Sequence, residues 1–485
     1  MKARTTTRNA ATGPAVSDRD IHPFRSAGIA GLLVSACVWC LFPASLRAGG
    51  PAWNATHLGT FFATDVNEKG QIAGYILKSG GYTRAALHSN GKVTDLGTLP
   101  GGASSMAFAI NDRGVVVGDS LNADGLNRAF RYESGKMIDL GTLHGGVESS
   151  ARDINNAGQI VGWSVTTQPG ISYPSPDHAF LYANGRMSDL GNISSLFGNF
   201  SHAVAINNSG EVVGWSINDS FETHAFVCRG GIMNDLGTLG GSESRANDIN
   251  DDGTIVGWSY LAGDTEARAF VAARGTAMKN LGKLAGEIGS SAKSINRKGE
   301  IVGGSIQNGR PSFYYSPGLG LLPINPRVRG DDWELDDAFV INDAGQILAN
   351  GGQVWTSSGY YLLQPSPKGP DIDVMRPAGN SLVDGKSKID FGSVGANKSR
   401  TLKFTIRNNG RSKLAKLRIS LTGKQKRSFL IAGPSKTSLA PGSSTTFKVK
   451  FRPRAGESHK SEIHIRSNDP NENPFDIRLK GRRKS

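Results

Sequence analysis

One short motif recurs seven times in this chain of 485 residues, and it limits the folds that the chain can adopt. Each copy starts with Asn, has the same spacing to a following apolar segment such as "IVGW", and lies 43 to 52 residues from the next copy. Such a period is typical of solenoids and propellers, whose units bury apolar surface only against their neighbours. The motif asparagines are Asn67, Asn111, Asn155, Asn207, Asn250, Asn296 and Asn342.

Each repeat contains four short extended segments, with no helical spacing of apolar residues. In "QIVGWS" (Gln159 to Ser164) both faces of the segment are apolar or small, which indicates a strand covered on both sides. Four-stranded sheets stacked around an axis bury both faces, and known blades of this kind have about 40 to 45 residues. We therefore predict an all-β chain with a seven-bladed β-propeller over residues 53–365. A right-handed β-solenoid is the alternative, disfavoured by its shorter coils.

The sequence leaves the closure of this propeller open. "HLGT" at His57 to Thr60 resembles the fourth segment of a repeat, which makes one such segment too many for seven copies. The N-terminal piece therefore either completes the last blade or lies outside the propeller.

The motif in the fifth copy, "NDDG", resembles part of a calcium loop at Asp251 and Asp252. The equivalent residues of the sixth copy are Arg297 and Lys298, which offer no oxygen ligands to calcium. Only Asn and Gly recur, and both residues favour tight turns. We predict hairpin turns and no metal site.

In an antiparallel four-stranded unit, the connections between strands two and three and between units lie at one end. These connections vary in this chain, as in Thr166 to His178 and Asn192 to Ser201. Variable loops on a regular scaffold often carry binding sites, so we expect a ligand at that end. The sequence identifies no ligand-binding residue.

The segment "DLGTLGGSESRANDINDDGTIVGWS" (Asp235 to Ser259) and its echoes "DLGTLPGG" and "DLGTLHGG" resemble the HAF repeat of bacterial extracellular proteins. The resemblance covers about residues 53–350. It implies an exported, repetitive protein and brings no established activity.

A proline-rich linker is expected at residues 366–386, and strands of strict two-residue alternation follow over 387–481. "DFGSV", "LAPGSS", "FRP" and "SNDP" resemble the immunoglobulin-like ASH/hydin-type domain, also found in bacterial "choice-of-anchor D" proteins. The resemblance implies a β-sandwich.

The positive charge of the chain is concentrated at this C-terminal end. Residues 379–485 carry a net +18, against −8 for residues 49–378. A solvated charged face explains this pattern, and contact with an anionic polymer of the cell envelope is the alternative. Phe404, Phe447 and Phe451 share the apolar parity of their strands, so the charged faces lack stacking rings and we predict no specific nucleic-acid partner.

Residues 1–48 have a basic leader, an apolar run from Ala27 to Phe42 and a small-residue exit, which predicts a signal peptide and export. The location is then secreted or cell-surface, with the periplasm as an alternative and no membrane span in the mature chain. Lipidation at Cys37 is a minor alternative. Cys37 and Cys40 leave with the signal, so Cys228 remains as a buried, inert thiol without a disulfide.

No motif for catalysis, a cofactor or a metal occurs in the sequence. The "DLG" aspartates recur in most copies, which indicates a structural role. We predict a monomeric, non-enzymatic binding or adhesion protein whose partner is a glycan, an envelope polymer or a protein. The alternatives are a carbohydrate-active enzyme, a hydrolase or lyase that uses channel carboxylates, and a structural spacer. His178 and His224 are predicted to be strand-edge residues rather than ligands. They belong to a set of dispersed histidines in the repeat region: His57, His88, His144, His178, His202 and His224.

Overall fold

The structure is a computed structural model. It describes residues 51–166, 176–195, 200–306, 311–325, 328, 333–353, 358–366, 369–376, 382, 384–410, 412–454, 456–470 and 472–484. The proposed signal peptide, with Cys37 and Cys40, lies outside the described residues.

The repeat region consists of short strands. In chain order they are β1 (Trp53–His57), β2 (Phe62–Val66), β3 (Ile72–Leu77), β4 (Thr83–Ser89), β5 (Lys92–Gly97), β6 (Ser105–Ile110), β7 (Val116–Leu121), β8 (Asn127–Glu133), β9 (Lys136–Asp139), β10 (Ser149–Ile154), β11 (Ile160–Val165), β12 (Asp177–Ala183), β13 (Arg186–Gly191), β14 (Ser201–Ile206), β15 (Val212–Ile217), β16 (Thr223–Arg229), β17 (Ile232–Asp235), β18 (Gly240–Ile249), β19 (Ile255–Leu261), β20 (Ala267–Ala272), β21 (Lys279–Gly282), β22 (Ser291–Ile295), β23 (Ile301–Gly304), β24 (Phe313–Ser316), β25 (Gly320–Pro323), β26 (Trp333–Ile341), β27 (Ile347–Gln353) and β28 (Gly359–Pro365).

In the described residues these strands form seven four-stranded antiparallel sheets, one for each copy of the motif. Sheets 1 to 6 take four consecutive strands each, from β2–β5 to β22–β25. Sheet 7 has the order β26-β27-β28-β1. The predicted all-β architecture with four short strands per repeat is therefore confirmed.

The N-terminal strand accounts for the surplus segment. β1 pairs antiparallel with β28, from Trp53 opposite Pro365 to His57 opposite Tyr361. Trp53 is 1% exposed, and its indole Nε1 donates to Gly345 O at 3.1 Å. The first strand of the region thus completes the last sheet.

Glycine in the second strand allows the first two strands of each sheet to approach closely. In sheet 5, a Cβ on Gly257 would lie 2.0 Å from Arg245 O on β18. The first strands also carry a bulge, as between Ala246 and Asp248. Any larger residue at the "IVG" glycine would displace the bulged strand.

The apolar cores of the repeat region lie between neighbouring sheets. One cluster joins Ala109 and Val117 of sheet 2 to Ile154 and Ile160 of sheet 3. Another joins Val213 and Val227 of sheet 4 to residues of sheet 5. A sheet that lies between two others is therefore covered on both faces. This explains why its strands do not alternate between apolar and polar residues.

The C-terminal part forms two further four-stranded sheets. Their inward side chains share one core, which includes Phe391, Phe404, Phe447, Phe451 and Ile477. Outward residues are mostly exposed, as in β34. The strands are β29 (Ile372–Met375), β30 (Lys388–Gly395), β31 (Arg400–Asn408), β32 (Arg418–Thr422), β33 (Phe429–Ala432), β34 (Ser444–Phe451), β35 (Ser458–Arg466) and β36 (Phe475–Lys484), in the orders β29-β31-β34-β33 and β30-β36-β35-β32.

Part of the range expected to be a linker belongs to this core. β29 pairs with β31, and its Ile372 and Val374 are buried against the phenylalanines of the sandwich. Only two apolar residues in alternation mark this strand, which is too short a pattern to distinguish it from a linker.

The described residues include two single turns of 3-10 helix, Leu143–Gly145 and Lys426–Ser428. Across those residues, no helix has the length and apolar character needed to span a bilayer.

Candidate functional site

The motif asparagines form a closed hydrogen-bonded ring, which we call the asparagine ring. Within a turn, Asn250 Oδ1 accepts from the N–H groups of Asp252 at 3.2 Å and Thr254 at 3.0 Å. Its Nδ2 donates to Asn296 O of the next sheet at 3.1 Å. The same bond joins every sheet to the next at 3.0–3.1 Å, including Asn342 of sheet 7 to Asn67 of sheet 1.

The residues that follow the asparagines form a second set of contacts around the same axis. Asp112 Oδ1 accepts from Glu68 N–H at 2.9 Å, and the pattern continues through Asn156, Asn208 and Asp251. Where the series reaches Arg297, the guanidinium donates instead to Asp251 Oδ2 at 2.6 Å.

Asp251 is therefore occupied by protein groups. Burial acts to raise the pKa of its carboxyl, but hydrogen bonds from Asn208 and Arg297 outweigh burial and hold the pKa below its usual range. In the described part of the chain, the acidic side chains spaced to hold a metal are Asp371, Asp469 and Glu472 of the C-terminal sandwich.

Three aspartates, two positions before the asparagine of alternate sheets, join neighbouring sheets. Asp65, Asp153 and Asp248 accept from the N–H groups of the residues before the next asparagines, Ile110, Ile206 and Ile295, each at 2.8 Å. Burial raises the pKa of Asp65 to about 6 and of Asp153 to about 7, and raises that of Asp248. Their mutual repulsion adds to the rise for Asp65 and Asp153.

A cavity of ≈ 230 Å³ lies at the ends of the first strands. Its wall contains the whole asparagine ring, together with Asp65, Asp248 and Arg297. The asparagine and aspartate groups that face it already bond to backbone or side chains of a neighbouring sheet. At the end of the sheets that carries the asparagine turns, the polar groups therefore join the sheets of the repeat region to one another.

The opposite end, which carries the other connections, differs in character, and Phe221 is its most unusual residue. The turn Asn218 to Phe221 repeats the geometry of Asn122 to Gly125 in sheet 2, with a bond from the fourth N–H to the first carbonyl. Gly125 has φ 76, and Phe221 has φ 60 and is 74% exposed. A bulky residue in the left-handed region is strained by about 1–3 kcal/mol.

The turn that holds Phe221 is fixed by the preceding connection. Asp219 Oδ1 accepts from Ser195 N–H at 2.7 Å, and Oδ2 accepts from Ser195 Oγ at 2.8 Å. Ser194 Oγ also donates to Asp219. The ring of Phe221 is therefore presented to solvent from a rigid turn.

Other large apolar side chains are exposed at the same end. They belong to connections between second and third strands or between sheets, whereas the asparagine turns of the described residues expose none. They are Leu77, Tyr82, Val147, Ile288 and Ile306.

A row of rings and one cation joins sheets 3, 4 and 5. His202 stacks between Trp163 and Trp215, with ring centroids 5.3 and 4.3 Å apart. Arg245 lies over Trp215 at 4.7 Å. This row was not predicted from the sequence. The tryptophans after "IVG" or "VVG" in three successive copies are its only signal. The contacts that join one repeat to the next, His202 on Trp163 and Arg245 on Trp215, come from side chains of the following repeat.

The structure places the remaining sequence candidates in structural roles. His178 and His224 contact the "DLG" aspartates Asp189 and Asp235 through Nδ1, at 2.9 and 2.8 Å. Asp189 also accepts from Gly191 N–H, and these contacts outweigh burial and lower its pKa.

The other histidines are dispersed. His144 Nε2 is 3.6 Å from Asp189, His57 is beside Tyr361, and His88 is beside Phe61. Cys228 is buried, and burial raises the pKa of its thiol. The long connections predicted to bind a ligand lie partly outside the described residues, at 167–175 and 196–199.

Two family models match parts of the chain. Residues 381–482 match Cep192 domain 4, and residues 100–198 match a family described as a protein of unknown function (DUF3466). No curated protein matches the chain. The first match agrees with an immunoglobulin-like C-terminal domain.

Similar solved structures are distant. The extracellular domain of a hybrid two-component system from B. thetaiotaomicron is 13% identical with a TM-score of 0.36, over 90% of this chain and 58% of that one. A puromycin-hydrolyzing peptidase of Mycobacterium tuberculosis is 12% identical with a TM-score of 0.43, over 72% and 65%. An ASH/PapD-like domain of human CEP192 is 13% identical with a TM-score of 0.17, over 25% and 87%. The chain thus spans 58% of the first structure, and none of these similarities assigns an activity.

Proposed function

We propose that the repeat region is a seven-bladed β-propeller of HAF-type repeats that binds a partner without catalysis. The seven sheets, the asparagine ring and the pairing of β1 with β28 support this architecture. The partner binds at the end that carries the connections between second and third strands and between blades. For the whole chain, we propose an exported binding or adhesion protein with an ASH/hydin-type C-terminal domain.

Phe221 carries the proposal. A strained, 74% exposed aromatic residue lowers the stability and solubility of the free protein, and glycine serves the same turn position in sheet 2. Aromatic side chains on rigid turns are common anchors of binding interfaces, because a ring buries much area and loses little conformational entropy. Ligand binding accounts for a residue that the fold itself does not need.

The test compares Phe221→Gly with wild-type protein on arrays of printed glycans and purified matrix proteins. Glycine relieves the left-handed strain and adds backbone entropy to the unfolded state, so stability is expected to stay within about 1 kcal/mol or rise. Binding to the probe that wild-type protein recognises is expected to fall at least about tenfold, as for loss of an interface anchor. Phe221→Tyr should retain binding.

Leu319→Ala is the matched control, because it removes an exposed apolar side chain from the turn between strands three and four of sheet 6. It should leave binding unchanged. Equal binding by Phe221→Gly and wild-type protein, or no binding of wild-type protein to any probe, would contradict the proposal.

A further inference from the structure

The outer face of the sheet β30-β36-β35-β32 carries a line of positive charge. β36 is a central strand of this sheet, and alternate residues from Phe475 to Leu479 enter the core. The intervening residues face outward and continue as a line to the end of the strand. These cations are Arg478, Lys480, Arg482 and Lys484, and we call the outer surface around them the basic face.

Neighbouring strands add positive charge directly opposite this line. Lys460 of β35 pairs with Lys480, and Lys388 of β30 pairs with Arg478. Like charges on residues that lie directly opposite each other on neighbouring strands repel and destabilise a sheet. This arrangement therefore lowers the stability of the domain. On the next strand pair, Arg418 lies opposite Arg466 in the same way.

The acidic residues of the face compensate only part of this charge. Glu462 is 3.7 Å from Arg478, and Asp390 is 3.6 Å from Lys480. Both pairs are solvent-exposed and contribute little to stability. Arg482 lies between Ser393 and Ser458 and forms no ion pair within the described residues.

We propose that the basic face binds a linear anionic polysaccharide, with its carboxylate or sulfate groups along β36. Outward residues of one strand are about 7 Å apart and cross-strand pairs about 5 Å apart, so the line from Arg478 to Lys484 spans about 20 Å. An extended polymer with repeated negative groups can contact several of these cations at once. The polymer relieves the repulsion that the domain otherwise tolerates.

The neutral and acidic residues of the face distinguish among polyanions. No Phe, Tyr or Trp projects outward from the described strands of this sheet, so unpaired bases find no stacking surface. Asp390, Glu462 and Asp476 lie on the same face and can accept hydrogen bonds from sugar hydroxyls. They would repel a chain of closely spaced phosphates.

The inference concerns the C-terminal domain and does not depend on the binding role proposed for the propeller. Phe221→Gly is expected to leave polysaccharide binding intact. A failure of either proposal therefore leaves the other standing.

The experiment uses the full chain and two triple variants of equal charge. R478Q/K480Q/R482Q removes the line on β36. K403Q/K448Q/K450Q removes three exposed lysines from the outer face of the other sheet, where Lys403 also lies opposite Lys448. Both variants lower the net charge by three, so a difference in their affinity for polysaccharide depends on where the cations lie. Thermal unfolding of each variant checks that the domain remains folded.

The probes are polygalacturonate for carboxylates, heparin for sulfates, dextran as the neutral polymer, oligothymidylate, and vesicles that contain an anionic lipid. Wild-type protein is expected to bind one or both anionic polysaccharides, more weakly at higher salt, and to ignore dextran. The β36 variant should lose about tenfold or more in affinity and the control less than about threefold.

If the two variants lost the same affinity for polysaccharide, net charge alone would explain the loss, and the proposal would be overturned. Absence of polysaccharide binding by wild-type protein would overturn it too. Binding of oligothymidylate or vesicles as tightly as polysaccharide at the same salt concentration would reassign the basic face to another polyanion.

Discussion

At the scale of the residue, the motif asparagine has two separate roles. Its Oδ1 holds a local turn, and its Nδ2 joins one sheet to the next. Asn122 has only the first of these roles, because its Oδ1 accepts from Asp124 and Leu126 at 3.0 Å each, whereas its Nδ2 points to Asp124 of the same turn at 3.5 Å. Asn111 of the same sheet has both.

This difference makes a matched pair of substitutions informative. Asn111→Ala is expected to lower the free energy of unfolding by about 2–4 kcal/mol, because it removes the buried turn bonds and one of the two hydrogen bonds that Asn155 O accepts, the other coming from Gly158 N–H. Asn122→Ala should cost about 1 kcal/mol. Urea denaturation of both variants checks the difference. Equal costs would mean that the asparagine ring adds nothing to the turn.

Individual residues also show where prediction from sequence patterns ends. Asn and Gly at fixed spacing predicted the turn, and Gly253 has the expected left-handed φ of 77. The bond from Asn250 to Asn296 spans 46 residues and has no signature beyond the repeat itself. The strain at Phe221 likewise emerges only when its turn is compared with the glycine turn of sheet 2.

At the scale of the element, the first strands are held to one another by the buried aspartates of alternate sheets. Asp153 bridges β10 to β14, and its carboxylate is enclosed although the residue as a whole is half-buried. Because its pKa is about 7 in the folded protein against an ordinary value of 3.8, the folded state holds more protons than the unfolded state between these values. Stability from this group is therefore full below about pH 4 and declines as the pH rises to 7.

Asp153→Asn should remove this pH dependence. The free energy of unfolding of wild-type protein, relative to the variant, is expected to fall by about 4 kcal/mol from about pH 4 to about pH 8, since the shift from 3.8 to about 7 is about three pKa units and each unit corresponds to about 1.4 kcal/mol. Denaturation of both proteins at matched ionic strength measures the difference. The effects of the other titratable groups, including those with lowered pKa values, are common to both proteins and cancel. Parallel stability curves would contradict the raised pKa of Asp153.

At the scale of the whole molecule, β1 links the first residues of the repeat region to its last sheet. We expect a chain that starts at residue 59 to be less stable than one that starts at residue 51 by more than about 3 kcal/mol, because it loses the buried Trp53 and a strand pairing. Thermal unfolding of the two truncated chains measures the loss.

A synthetic peptide of residues 51–58 should restore stability as its concentration rises, and a scrambled peptide should not, because ligands stabilise the state that they bind. Identical unfolding of the two truncated chains would show that sheet 7 does not need its fourth strand.

Sequence patterns were sufficient to predict the strands, the repeats and the change of composition near the C-terminal domain. These features follow from local alternation, turn residues and charge, which are properties of neighbouring residues. The same patterns could not show that β1 joins sheet 7, that Ile372 and Val374 enter the sandwich, or that seven asparagines meet in one ring. Those contacts join residues far apart in the chain, and the packing of the folded chain determines which buried donor finds which acceptor.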